Sequence, residues 1–165
     1  MHVFRVGRIP PKIKDKRLAL ELITLRNCLC LYKLLKKADS QCLHQLGFKK
    51  DEKTSRLLLF CLLRFVWAYL IKWDGRAIGL VGAYKWRPGS YAWLTLAILD
   101  AAFRAQGIGS MSIKLLSFEL KDRAICTHLY VEVLKDNNLA KKFWLKNGFG
   151  IINPGACTDI LKKPL

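Results

Sequence analysis

The sequence predicts an α+β fold: an antiparallel meander, then a strand–loop–helix–strand crossover, all in one mixed sheet with helices on both faces. Three observations predict it. From Leu58 to Leu99 the chain runs through apolar, aromatic-rich segments broken at Asp74-Gly75 and at Arg87-Pro88-Gly89-Ser90. Arg104 to Ser110 then places a glycine pair between a strand-like run and a helical one. A further apolar run, His128 to Leu134, follows that helix.

Taken in order, His2 to Arg8 alternates as a first strand, and Pro10-Pro11 ends it and can start a helix. Residues 12 to 36 are expected to form one or two helices, with Leu18, Leu20, Leu22, Ile23, Leu25, Leu29, Leu34 and Leu35 spaced among lysines. Residues 37 to 56 are polar and basic, with a short helix expected at Gln41 to Leu46 and a break at Gly47. Leu58 to Trp73 and Arg76 to Trp86 read as strands around Asp74-Gly75, a strong hairpin signal. Tyr91 to Leu99 is the third strand of the meander. Ile108 to Lys121 reads as a helix and His128 to Leu134 as a strand. A helical crossover makes that strand parallel to Tyr91–Leu99. Asn137 to Lys146 is a helix closed by Gly148 in the C′ role. Phe149 to Ile152 and Thr158 to Lys162 are expected as two last edge strands around Pro154-Gly155.

The 165 residues predict a single domain, 1–165, long enough to bury a full core. Hydrophobic residues at 52% and charged residues at 25% exclude a disordered chain. The net charge of +17 favours anionic partners, namely nucleotide phosphates, RNA or an acidic protein surface; a basic solvated surface is the simpler account. Six cysteines, several in apolar runs, read as reduced thiols of a cytoplasmic protein. Cys28, Cys30, Cys42 and His44 do not make a convincing metal site, because an i, i+2 pair points to different helix faces and no Cys-x-x-Cys exists. No secretory signal and no membrane span are expected: Leu57 to Leu70 is too short to cross a bilayer and is interrupted by Arg64.

The stretch that carries chemistry is Arg104-Ala105-Gln106-Gly107-Ile108-Gly109-Ser110. Its glycines allow a tight turn that brings backbone N–H donors near an anion, and the helix start behind them adds unpaired N–H groups and a positive dipole end. Arg104 and Gln106 add side-chain donors. The pattern is not a dinucleotide fingerprint, because Ser112 stands at the third glycine, and it lacks the Gly-Lys-Ser/Thr of a P-loop. By itself it is either a phosphate-binding loop or a turn with glycines for backbone reasons.

Two blocks together are more specific. Ile98 to Gly109 (Ile-Leu-Asp-Ala-Ala-Phe-Arg-Ala-Gln-Gly-Ile-Gly) resembles the acetyl-CoA signature of the GNAT superfamily of N-acetyltransferases, Arg/Gln-x-x-Gly-x-Gly/Ala after a strand. Glu132 to Phe149 resembles the same family's strand, Asn-x-x-Ala helix and closing Gly-Phe. The resemblance covers residues 60 to 150 and is loose before Leu57. It departs at Ala101 (often Pro), at Ala105 (often Gly) and at Trp144, where many members carry a Tyr that protonates the leaving thiolate; an indole N–H is no acid at neutral pH.

The resemblance implies a GNAT-like acyl-CoA N-acyltransferase fold and transfer of an acetyl group from acetyl-CoA to a primary amine, by direct attack and without a metal. The implied cofactor contacts are the loop Arg104, Ala105, Gln106, Gly107, Ile108, Gly109 and Ser110 for the pyrophosphate, and the backbone of Ala97 and Leu99 for the pantetheine arm. Asn137, Ala140, Phe143 and Trp144 are implied on the second block, with Trp144 either packed on the cofactor or lining the acceptor pocket. The N–H of Leu99 is the implied oxyanion donor. Glu132 is the candidate general base, against a solvated or ion-paired strand carboxylate. Tyr84, Tyr91 and Tyr130 are alternative proton carriers, and Cys126 is a weaker candidate nucleophile. The acceptor stays open between a small molecule and a protein amine. The alternative function is a basic binding module of the same fold, with little or no catalysis, that associates with RNA or a ribosome.

Overall fold

A computed structural model of the chain describes residues 8–39 and 65–165. Strands β1 (Lys12–Asp15) and β2 (Leu18–Leu22) open it as a hairpin, where helices were expected. The physical reason is the period. Leu18 and Leu20 recur every second residue and face the core with Ile13, while Lys12 and Lys14 take the other face of the edge strand. Lys12 opposes Glu21 in the register and pairs with it at 2.7 Å. Helix α1 follows at Cys28–Lys37. All of the expected strand at His2–Arg8 except Arg8, the helix at Gln41–Leu46, residues 58–64, and the cysteine and histidine at 42 and 44 lie outside the described residues.

The meander is as expected. Strands β3 (Trp67–Trp73), β4 (Arg76–Arg87) and β5 (Tyr91–Ile98) pair antiparallel in succession. Asp74 and Gly75 turn the first hairpin with φ of 48° and 81°, the two positive values that match the strand twist. A 3₁₀ turn (Ala101–Phe103) leads to the glycine loop and helix α2 (Ile108–Asp122). Strand β6 (His128–Leu134) then lies parallel to β5. Helix α3 (Asn138–Lys146), β7 (Gly150–Pro154) and β8 (Thr158–Pro164) complete the chain.

The sheet order is β1-β2-β3-β4-β5-β6-β8-β7. Two edge strands are expected at the end of the chain, but β8 is interior, inserted antiparallel between β6 and β7, and of these two only β7 is an edge. Asp159 and Leu161 turn into the core beneath α2 and α3, while β7 is exposed along its whole length and forms the edge.

Helices cover both faces. On one, Ile108, Ile113, Leu116 and Leu120 of α2 and Trp144 of α3 join Tyr69, Ile71, Ile78, Val81, Leu94, Leu129 and Val131 in the main core. On the other, Leu31, Leu34 and Leu35 of α1 pack on Leu70, Leu80, Ala97 and Leu99. Adjacent strand residues such as Tyr69 and Leu70 therefore belong to different clusters.

Candidate active site

Strands β5 and β6 begin side by side and then part. Their parallel ladder joins Tyr91, Ala92 and Trp93 to His128, Leu129 and Tyr130, and no ladder pair joins the two strands beyond that. Strand β5 nevertheless runs on to Ile98, paired to β4 as far as Gly79, and β6 runs on to Leu134, paired to β8. The centre of the sheet thus splays toward the C-terminal ends of two parallel strands, where helix starts also gather. Ala97 and Leu99 send their side chains into the α1 cluster, 8% and 1% exposed, which leaves their backbone as the part able to meet a ligand in the opening.

The glycine loop leaves β5 at that open end. Gly107 is the N-cap of α2 at φ 77°, and Ala105 holds a φ of 60°, a left-handed conformation costly for a residue with a Cβ. Met111 N–H to the Gly107 carbonyl, 3.0 Å, is the first hydrogen bond of the helix. The N–H groups of Ile108, Gly109 and Ser110 therefore stand ahead of the helical ladder, as an anion site requires. A Cβ on Gly109 would come within 3.1 Å of the Phe143 ring and crowd the approach of α3. The loop fits a pyrophosphate by its donors and its helix start.

The side chains expected to reinforce the loop are already committed. Arg104 Nε donates to the Ile98 carbonyl at 2.9 Å and Nη2 to that of Leu99 at 3.2 Å, while Nη1 lies 2.5 Å from Asp39. Arg104 thus clamps the end of β5 to its own loop rather than presenting a free guanidinium. Gln106 Nε2 donates back to the Ala102 carbonyl at 2.7 Å, and Asp100 caps the 3₁₀ turn through Ala102 N–H.

The second block gives the Asn-x-x-Ala spacing a physical meaning. Asn137 caps α3, its Oδ1 accepting from Ala140 N–H at 3.0 Å. Phe143 lies against Gly109. Trp144 is 6% exposed, edge-on to Phe143 at 5.0 Å and to Phe149 at 4.9 Å, so it packs within the main core. Asn147, also buried, donates from Nδ2 to Ser110 Oγ at 3.1 Å and to the Phe143 carbonyl at 2.7 Å. That latch between α3 and α2 was not read from the sequence, where Asn147-Gly148 signals only a helix end.

Glu132 lies on β6 beyond the last residue paired to β5, solvent-exposed, on the face opposite α2. Thr158 Oγ1 donates to Glu132 Oε1 at 2.8 Å and fixes one of its oxygens. Thr158 was missed because no local signal links two residues that meet only through the β6–β8 register. On the same face, Trp93 stacks on Tyr130 with centroids 5.2 Å apart and planes at 17°, Tyr91 meets Tyr130 edge-on at 6.0 Å, and Tyr84 lies 6.3 Å from Trp93. These aromatic residues are half-buried rather than core. Cys126 is 2% exposed, and burial pushes its thiol up to about 11, which leaves it protonated and unreactive near neutrality.

Among the described residues no cluster of three or more His, Cys, Asp or Glu is placed to hold a metal, and no helix is long and apolar enough to cross a membrane.

Residues 31–149 match the Acetyltransferase (GNAT) family, and the chain belongs to it. It is 30% identical over 104 residues to an uncharacterized N-acetyltransferase of Methanocaldococcus jannaschii, an overlap of 62% of this chain and 65% of that protein, so it spans just under two thirds of that relative. Its fold is similar to an acetyltransferase of Salmonella typhimurium that modifies the N-terminal serine of ribosomal protein L7/L12, with a TM-score of 0.79, 17% identity, and coverage of 93% of this chain and 99% of that one. It is also similar to the microcin C7 self-immunity acetyltransferase MccE, solved with acetyl-CoA and AMP, at a TM-score of 0.77 and 18% identity, covering 97% and 99% of the two chains.

Proposed function

We propose that this protein transfers an acetyl group from acetyl-CoA to a primary amine, both held at once in the opening between β5 and β6. The observation that carries this reading is the splay itself, which ends the β5–β6 ladder at Trp93 and Tyr130 with the donor-lined loop at its open end. Membership of the GNAT family supports it.

Each residue then has a task. The N–H groups from Gln106 to Ser110 hold the pyrophosphate, with Arg104 keeping the loop on the end of β5. The β6-facing backbone of β5, at Ala97 and just past it at Leu99, binds the pantetheine arm as a strand would. Leu99 N–H stabilises the negative charge on the thioester oxygen as the amine attacks. Glu132, oriented by Thr158, takes a proton from the acceptor ammonium directly or through water. The C–N bond forms, the C–S bond breaks, and the sulfur leaves as thiolate. Trp144 supplies no proton to it, being an indole in the core, so solvent protonates the thiolate.

Calorimetric and thermal-shift titration with acetyl-CoA tests the donor half. Binding accompanied by a rise in melting temperature is expected; no response at millimolar acetyl-CoA overturns the reading.

A further inference from the structure

A single row of side chains crosses four adjacent strands, β4, β5, β6 and β8, on the Glu132 face. The register sets Lys85 of β4 opposite Trp93 of β5, Trp93 opposite Tyr130 of β6, and Tyr130 opposite Lys162 of β8. The contacts follow that order. Lys85 Nζ lies 5.9 Å from the Trp93 centroid, Trp93 and Tyr130 stack, and Lys162 Nζ lies 5.6 Å from the Tyr130 centroid. Each ring thus has its partner ring on one side and an ammonium on the other. What the row offers outward is ring edges, which carry partial positive charge, and two cations steadied by the rings.

Glu132 stands two residues along β6 from Tyr130, an advance of about 6.6 Å toward the open end of the splay on the same face. The arrangement is asymmetric: a carboxylate for an amine at one point, and positive charge spread beside it. Lys85 and Lys162 are separated by three strand spacings, about 14 Å. A small amine contacts one of them at most. An extended chain, at about 3.3 Å per residue, reaches both within four or five residues.

Resting on the acetyl-transfer reading above, we propose that the acceptor is the N-terminus of an acidic peptide or protein, with its α-amine at Glu132 and the carboxylates of its next few residues on Lys85 and Lys162. The row selects by charge complementarity, and because the lysines are already held over aromatic rings, less side-chain freedom is lost when the acceptor arrives.

The test compares peptides of one length and one N-terminal residue that differ only in the following positions, which are Asp/Glu, Gln or Lys. Initial rates of thiol release are followed at low and high salt. The acidic peptide is expected to have the highest kcat/KM, chiefly through KM, and its advantage is expected to shrink as salt rises. Lys85→Gln and Lys162→Gln should each cost it about fivefold, the size of one partly screened ion pair, while leaving the Gln peptide within about twofold. Lys85→Glu with Lys162→Glu should invert the order of acidic and basic peptides. Equal kcat/KM for all three peptides, or lysine substitutions that act equally on acidic and neutral peptides, overturns the proposal. Acetylation of small amines but no peptide also overturns it while leaving acetyl transfer intact. Failure of the acetyl-CoA titration strikes the underlying reading instead. Melting curves for each variant separate lost selectivity from lost folding.

Discussion

Asn147 Nδ2 donates to Ser110 Oγ, 3.1 Å away, and joins the last residue beyond α3 to the first turn of α2. The same nitrogen also donates to the Phe143 carbonyl, so one buried amide holds together the helix that starts at the loop and the helix of the second block. Asn147→Ala leaves Ser110 Oγ and a helix-end carbonyl without this donor. It should cost about 1–3 kcal/mol, the range for unsatisfying buried polar groups. Because Ser110 belongs to the loop, the KM for acetyl-CoA should rise more than the KM for the acceptor. Denaturant melts and two-substrate kinetics check both halves.

Glu132 and Thr158 form a pair whose members are separable by experiment. Glu132→Gln should lower kcat by about 100-fold or more, the span of general-base catalysis, with acetyl-CoA affinity unchanged. Thr158→Val keeps the carboxylate and removes its tether, so a smaller loss is expected. Unchanged turnover in Glu132→Gln, measured with an active acceptor, removes Glu132 from the mechanism.

Trp144 separates packing from chemistry. The resemblance sets it where many members of the family carry a Tyr, yet here it is held edge-on between Phe143 and Phe149. Trp144→Phe should lower stability by about 1–2 kcal/mol through the volume left unfilled. At a temperature where the variant is folded, kcat should stay within about threefold, a barrier change of under about 1 kcal/mol, since the indole carries no step of the reaction. A loss of turnover with unchanged stability assigns the indole a direct role.

Acid should weaken the sheet edge in a defined window. The ammonium of Lys12, and then that of Lys72, hold the Glu21 carboxyl below its ordinary value of 4.5, at 2.7 Å and 2.5 Å. A lowered carboxylate contributes stability that is present above its unfolded pKa and is lost as pH falls through the folded one. Glu21→Gln should therefore melt lower than the parent at pH 7, and the gap should close below about pH 4.5. Melting curves across that range check the sign.

The elements readable in the sequence are those with local causes. Asp74-Gly75 specifies a hairpin through two positive φ angles, and the helix from 108 requires a crossover that sets β6 parallel to β5. Asn137 marks a helix start because its side chain bonds a donor three residues on. The misreadings have a common origin. At Lys12–Leu22 a lysine-rich leucine pattern suited a helix, but the segment buries one side of an edge hairpin on a sheet formed by residues far along the chain. Leu18 pairs with Trp73, and nothing near Leu18 records that.

The sequence by itself determined the meander, the crossover and the glycine loop at the start of α2, because turn geometry, residue period and helix starts are set within a few residues. Only the tertiary structure decided that β8 lies inside the sheet, that Arg104 clamps its own strand, that Trp144 is core, and that Lys85, Trp93, Tyr130 and Lys162 stand in one row. Each of these depends on which distant strand lies alongside and in what register, a choice made by burying one face of every strand at once.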